Sequence, residues 1–357
     1  MGLKLIVACG GTGGHAFPGL AAAKELSGRG HDVTVWMSGR DVEASVLKGW
    51  EGPVFATGAR QLSLKNAFSN LRAIFRCSKE MRRAKPDAVL AMGSYSSLPP
   101  VLAAAGCKVP VVLHEANTVP GRAVDFLSSL AKVVAVTFEE TSRHFPRKET
   151  VLTGLPVRTD IAGCPRFAEV PEGAFCVFVT GGSQGAHRLN EIASKAMPLF
   201  AKELSKTGKQ LYVIHQTGAK DEAWVREFYG NAGIAARVNA FEHEMGSALS
   251  SADVVVARAG ASTCFELALT GRPAFLVPLP TSMRDHQHYN ADAFASRLAA
   301  AEGVQSVLTP GALAKWLLHK AEHADSLEKM SENMKLMSIP DAASRVANLV
   351  ERVAKGK

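Results

Sequence analysis

A chain of 357 residues is too long for one ordinary hydrophobic core, and this predicts about two domains. Hydrophobic residues make up 47% and charged residues 21%, and no apolar run approaches the roughly 18–20 residues of a membrane helix, so a disordered chain and a bundle of spanning helices are both excluded. The net charge of +8 is uneven: Lys and Arg number 20 against 13 Asp and Glu through Asp160, then 21 against 20, so an acidic partner is expected for the first half.

The chain opens with a short apolar run, 3–9, that leads straight into Cys9-Gly10-Gly11-Thr12-Gly13-Gly14-His15. A cleaved leader would remove that loop, so none is expected. Further strands are predicted at 32–37, 53–57, 87–92, 110–114, 133–137 and 150–153. Helices are predicted near 18–28 (opened by Pro18), 66–84, 98–105 and 120–131. The strands are Val/Leu/Ala runs without alternation, as in a parallel sheet covered on both faces. Residues 154–173, rich in Gly and Pro, read as a linker. The alternation restarts with strands 175–180, 210–215, 236–240, 253–257 and 273–277. Helices lie near 187–205, 220–229, 244–250, 262–270 and 286–300. Beyond 309 the pattern is helical, with Pro340 setting off a last helix at 341–355. The expected architecture is α/β, with two Rossmann-like doubly wound parallel sheets facing across a cleft. The six cysteines form no C-x-x-C pair and read as reduced thiols of a cytosolic protein.

Three glycine turns follow strands and open helices. Backbone N–H groups at such turns approach an anion closely, and the helix N-terminus behind them favours negative charge. The first turn adds His15, a side chain suited to proton transfer. It is neither the dinucleotide fingerprint nor a P-loop. The second is Thr180-Gly181-Gly182-Ser183-Gln184-Gly185. The third, Arg258-Ala259-Gly260-Ala261-Ser262-Thr263, leads to Glu266; Thr263 with Glu266 reads either as a capping box or as a ribose-binding helix mouth. His114-Glu115-Ala116-Asn117 ends a buried strand, where polar residues line a site. His286-Gln287-His288 follows Asp285. No D-x-D motif occurs and no metal-ligand spacing is present, so neither a protein-chelated metal nor another cofactor is expected. Leu64, Phe68, Leu71 and Phe75 recur at helical spacing among Arg72, Arg76, Arg82 and other cations. This stripe reads either as core-facing or as a face for an anionic membrane. Nucleic acid is disfavoured, since aromatic residues reach only 7% and no recognition module is visible.

Together, Gly10–His15, His114–Asn117, Gly154-Leu155-Pro156-Val157-Arg158, Gly181–Ala186, Gly260–Thr263 with Glu266, and Asp285-His286-Gln287 with Asn290-Ala291 occur in an order that resembles the MurG family of glycosyltransferase family 28. The resemblance spans essentially the whole chain. It implies a GT-B fold, with residues 1–157 as the acceptor and membrane-facing domain, 158–340 as the donor domain, and 341–357 packing back on the first. It implies an inverting transfer of N-acetylglucosamine from UDP-N-acetylglucosamine to undecaprenyl-pyrophosphoryl-MurNAc-pentapeptide (lipid I), giving lipid II for peptidoglycan, at the cytoplasmic face of the bacterial cell membrane. A diacylglycerol glycosyltransferase is the alternative. Carried over by motif, His15 is the candidate base, with Glu115 and His114 as alternatives. Substrate contacts fall to Thr12, Gly13, Gly14, Tyr95, Asn117, Arg158, Ser183, Gln184, Phe241, Met245, Ala261, Ser262, Thr263, Glu266, His286 and Gln287. Three positions depart from the family pattern: Ala116 where Gln is common, Leu155 where Asn is common, and Ser94 in a loop that usually reads Gly-Gly-Tyr.

Overall fold

The computed structural model describes residues 2–11, 13–39, 47, 49–61 and 63–356. Two compact units divide the chain: residues 1–158 with 339–357, and residues 159–338.

In the first unit the described strands are β1 (Lys4–Ala8), β2 (Asp32–Met37), β3 (Val54–Ala56), β4 (Ala88–Ala91), β5 (Val111–Glu115), β6 (Val133–Val136) and β7 (Thr150–Leu152). They form one sheet in the order β3-β2-β1-β4-β5-β6-β7, and every pairing is parallel. Helices α1 (Gly13–Gly28), α2 (Ala67–Ala84), α3 (Leu98–Gly106) and α4 (Arg122–Ser128) connect them. Leu5 and Val7 enter one core, with residues of α1; Ile6 and Ala8 enter another, with Cys77, Met81 and Val101. Both faces of the sheet are therefore dry, which explains the unbroken apolar runs.

In the second unit the strands are β8 (Phe175–Thr180), β9 (Leu211–Gln216), β10 (Ala235–Asn239), β11 (Val254–Ala257), β12 (Ala274–Leu276) and β13 (Ala300–Glu302), in the parallel order β10-β9-β8-β11-β12-β13. Its helices are α5 (His187–Leu204), α6 (Glu222–Asn231), α7 (Met245–Ser251), α8 (Ala261–Thr270), α9 (His286–Ala295), α10 (Pro310–Glu322) and α11 (Ala324–Leu336). The last helix, α12 (Ala342–Ala354), belongs to the first unit. Its Val346, Ala347, Val350 and Val353 join the core beside α1, and Arg29 pairs with Glu351 at 2.9 Å.

Four expectations change. Pro18 does not open α1; the helix starts five residues earlier, at Gly13, and the ring sits inside it, where it gives up one backbone hydrogen bond. The helix expected over 286–300 ends at Ala295, and Leu298 adopts φ 55°. This left-handed residue turns the chain into β13, a strand hidden by its helix-favouring Ala-Ala-Glu sequence. The helix near 120–131 is only Arg122–Ser128. Arg158 falls in the first unit, so the boundary lies one residue later than expected.

Candidate functional site

In each sheet the chain doubles back beside its first strand, between β1 and β4 and between β8 and β11. In such sheets a ligand binds beyond the strand ends at that switch point. The glycine turns fall at these two places.

At the first, Ser96 Oγ donates to Gly10 O at 2.5 Å, tying the loop after β4 to the loop after β1. A Cβ on Gly11 (φ 117°) would lie 2.9 Å from Ser94 Oγ, and one on Gly19 would lie 2.1 Å from Cys9 Cβ, so glycine is what lets loop and helix close up. Ser94 itself holds φ 67°, ψ 167°, a conformation otherwise kept for glycine. Tyr95 follows it, half-buried, at the start of a short 3₁₀ turn. Gly14 is exposed at the start of α1, beside half-buried Gly13, and Thr12 lies outside the described residues.

His15 is half-buried, with Nδ1 2.9 Å from Met92 O. A carbonyl only accepts, so Nδ1 donates to it, and in the neutral ring the lone pair then lies on Nε2, as a base requires. His114 is different. It is wholly buried, its Nε2 donates to Gly154 O at 3.0 Å, and burial holds its pKa down at about 4. Its Nδ1 is buried without a partner. Glu115 is also buried: Oε1 accepts from Asn117 N (2.8 Å) and Asn117 Nδ2 (3.0 Å), and Oε2 accepts from Gly121 N (3.1 Å). Burial raises its pKa to about 7 against the pull of those donors. The carboxylate thus clamps the 116–121 loop and aims Asn117, and of the three candidate bases His15 is the one with appreciable exposure. Arg158, expected beside the donor, stacks in the first unit with its guanidinium 5.4 Å from the Phe17 ring of α1.

At the second switch point the loop 181–185 is built on backbone contacts. A Cβ on Gly185 (φ 72°) would lie 2.1 Å from Thr217 O, and one on Gly218 (φ 80°) would lie 2.7 Å from Gln184 O. Ser183 and Gln184 are exposed at the mouth of α5, whose boundary residue Ala186 brings no side-chain cap. Beside this loop, α8 starts at Ala261 with Gly260 in the capping position, so Thr263 is not the cap and the capping-box reading of Thr263 with Glu266 is set aside. Ser262, Thr263 and Glu266 are half-buried around the first turns of α8, and Ala261 is buried. Gln287 Oε1 accepts from Leu279 N at 3.0 Å, and His286 Nδ1 lies 2.8 Å from Met283 O, so both shape the 279–287 loop. That loop holds Arg284 and Asp285 in consecutive left-handed conformations, φ 52° and 55°, a strained arrangement of the kind found at ligand clamps. Phe241 and Met245 follow β10. Phe241 lines a cavity of about 480 Å³ together with Arg237, Asn239, Glu242 and His243.

Several polar residues at this site went unassigned in the sequence. Arg258 is buried at the end of β11 and donates to Val277 O (3.0 Å), Pro278 O (3.1 Å) and Gln305 Oε1; burial lowers its pKa to about 10. Asn290 Nδ2 donates to Ala259 O at 3.1 Å, bracing the third turn. Asn190 Nδ2 donates to Thr217 O and to Asp221 Oδ2, while its Oδ1 meets buried His215, whose pKa burial pushes down to about 3. For Arg258 the usable signal was its position just past the end of β11 at a glycine turn; Asn190 and Asn290 lie within α5 and α9 and carried no such signal.

With this geometry in hand, the comparisons decide the family. The glycosyltransferase family 28 N-terminal domain matches residues 5–136, and the C-terminal domain matches residues 176–346. The chain belongs to glycosyltransferase family 28. It is 34% identical, over 98% of both chains, to the UDP-N-acetylglucosamine–N-acetylmuramyl-(pentapeptide) pyrophosphoryl-undecaprenol N-acetylglucosamine transferase of Geotalea uraniireducens. It is 36% identical, over 98% of this chain and 99% of the relative, to the transferase of the same name from Syntrophotalea carbinolica. Among solved family structures, Acinetobacter baumannii MurG superposes with a TM-score of 0.77 at 32% identity, over 98% of this chain and 99% of that one. The UDP-GlcNAc 2-epimerase of Neisseria meningitidis, at 15% identity and TM-score 0.73 over 99% of this chain and 100% of its own, shares the GT-B fold alone.

Proposed function

We propose that this family-28 chain transfers N-acetylglucosamine from UDP-N-acetylglucosamine to lipid I, forming the β-1,4-linked disaccharide of lipid II. The observation that carries it is similarity along the full chain to relatives named for that transfer. Glycine turns at the switch points of both sheets fit the reading. The second unit takes the donor: the loop with Ser183 and Gln184 and the N-terminus of α5 receive the diphosphate, Glu266 at α8 receives the ribose hydroxyls, and Phe241 and Met245 offer an apolar face to the base. Gln287 and His286 face the sugar. The first unit supplies His15 Nε2 to take the proton from the acceptor hydroxyl as it attacks the anomeric carbon and UDP departs from the opposite side. Gly13, Gly14 and Tyr95 meet the acceptor, and Asn117 and Arg158 turn toward the substrates. Helix N-termini stabilise the charge that develops on the leaving diphosphate, so no chelated metal is required.

The acceptor is lipid-linked, and the surface of α2 supports a peripheral membrane seat. Phe68 and Phe75 are 70% and 68% exposed and Leu71 is 49% exposed, while α2 buries Asn70, Ala73, Cys77 and Met81. The apolar stripe thus lies on the solvent side, flanked by Arg72, Arg76 and Arg82; the Leu64 side chain lies outside the described residues. Among the described residues no helix is long and apolar enough to cross a bilayer.

Side-by-side assays with a short-chain lipid I analogue and with diacylglycerol test the acceptor. Labelled sugar on the lipid I analogue alone is expected; labelling of diacylglycerol in its place would support the alternative transferase.

A further inference from the structure

Gln216 is the last residue of β9, paired in register with Thr180 on one side and Asn239 on the other. It is 1% exposed, and its amide is used at both ends. Nε2 donates to Gly182 O at 2.7 Å, inside the glycine loop, and Oε1 accepts from Glu242 N at 3.3 Å, in the segment after β10. These partners fix the amide's orientation, because a carbonyl cannot donate and an N–H cannot accept.

Each loop is otherwise tied down elsewhere. Glu242 accepts from Asn239 Nδ2 (3.0 Å), Glu244 N (3.0 Å) and Arg237 Nε (3.0 Å), and Arg237 is held in turn by Glu169 (2.8 Å) and the Phe167 ring. The glycine loop rests on Gly218 through backbone contact. Thr217 N and Gly218 N also reach Asn239 O and Ala240 O, so the turn after β9 supports both loops from below. Gln216 is the side chain of this strand end that bonds to the two loops at once.

We propose that Gln216 is a positioning residue that sets the spacing between the diphosphate loop, 181–185, and the nucleoside side of the site, 239–245, so that a uridine diphosphate meets both together. This rests on the donor reading above. The residue touches no substrate; it acts through Gly182 and Glu242. A ligand that occupies one loop does not depend on the spacing, whereas a ligand that bridges them does.

The test is binding of uridine and of UDP, measured calorimetrically, to the full chain and to two variants. Gln216→Met removes both bonds without adding charge. Gln216→Glu keeps an acceptor toward Glu242 N and loses the donor to Gly182 O. In both variants UDP affinity should fall about tenfold, the worth of one buried hydrogen bond, while uridine affinity changes less than about twofold. The KM for UDP-N-acetylglucosamine should rise by a similar factor, with kcat kept within about threefold. Uridine and UDP weakened in equal proportion in both variants, or UDP binding left intact, would overturn the proposal. A melting curve for each variant separates loss of spacing from loss of fold, because the spacing account requires the cooperative transition to remain. A parent protein that fails to bind UDP at all would count against the donor reading and not against the role of Gln216.

Discussion

His15 and His114 differ in what their surroundings let them do. Nδ1 of His15 is committed to Met92 O, which leaves Nε2 as the basic atom of a half-buried ring. His114 is sealed in and committed to Gly154 O, and it holds the loop around it. Replacing His15 with Ala should lower turnover about 10²–10⁴-fold, the usual range for a general base, without weakening UDP binding. Near-normal turnover in steady-state assays would remove His15 from that role. The buried histidines also set a pH dependence. His114 and His215 have folded-state pKa values pushed down to about 4 and about 3 from 6.5. Their stability is in place above pH 6.5 and is lost as the pH falls through that window, because the unfolded chain takes protons that the folded chain refuses. Glu115, raised from 4.5 to about 7, has the opposite sign: its contribution is full below pH 4.5 and is lost as the pH rises through 7. Proton NMR should show His114 and His215 still neutral at pH 5. Titration of both near pH 6.5 would refute the assignment.

At the scale of elements, two kinds of signal in the sequence behaved differently. The glycine turns were legible because they need particular backbone: Gly182 and Gly185 hold φ 81° and 72°, and a Cβ at Gly185 collides with Thr217 O. Gly185→Ala should therefore unseat the loop and weaken UDP binding by an order of magnitude or more. Gly260→Ala, at φ −68° with nothing within 4 Å of the added methyl, should leave both binding and melting temperature close to those of the parent. Equal effects of the two changes, read by calorimetry and thermal melts, would contradict this account of the turns. The stripe of α2 was legible as a stripe but not as a surface. Periodicity shows that Phe68, Leu71 and Phe75 share a face; only packing shows that Asn70, Ala73, Cys77 and Met81 take the inner one. β13 was invisible for a related reason, since local propensity in Ala300–Glu302 favours helix and the strand exists because β12 pairs with it. For α2, replacing Phe68, Leu71 and Phe75 with Ser, or reversing the charge of Arg72, Arg76 and Arg82, should weaken co-sedimentation with anionic vesicles. Each cation near such a surface is worth about 1 kcal/mol. Binding unchanged by either set would exclude this face as the membrane seat.

For the whole molecule, each unit repeats one plan: a parallel sheet that reverses direction beside its first strand, with a glycine turn at the reversal. The plan was readable because strand and helix runs alternate twice with a Gly/Pro-rich break between them. The side-chain braces were not readable. Gln216, Asn190, Arg258 and Asn290 find partners 19 to 47 residues away along the chain, and no short motif marks such pairs. Arg158 shows the same limit from the other side, since its motif was recognisable while its stacking on Phe17 depended on the fold. The most direct test is transfer of labelled N-acetylglucosamine from its UDP ester to a short-chain lipid I analogue, run with the parent chain and with His15→Ala, each with and without chelator. The account predicts a β-1,4-linked product from the parent chain, unaffected by chelator, and at least a hundredfold less from the variant. No transfer by the parent chain while UDP-N-acetylglucosamine binds normally would contradict it.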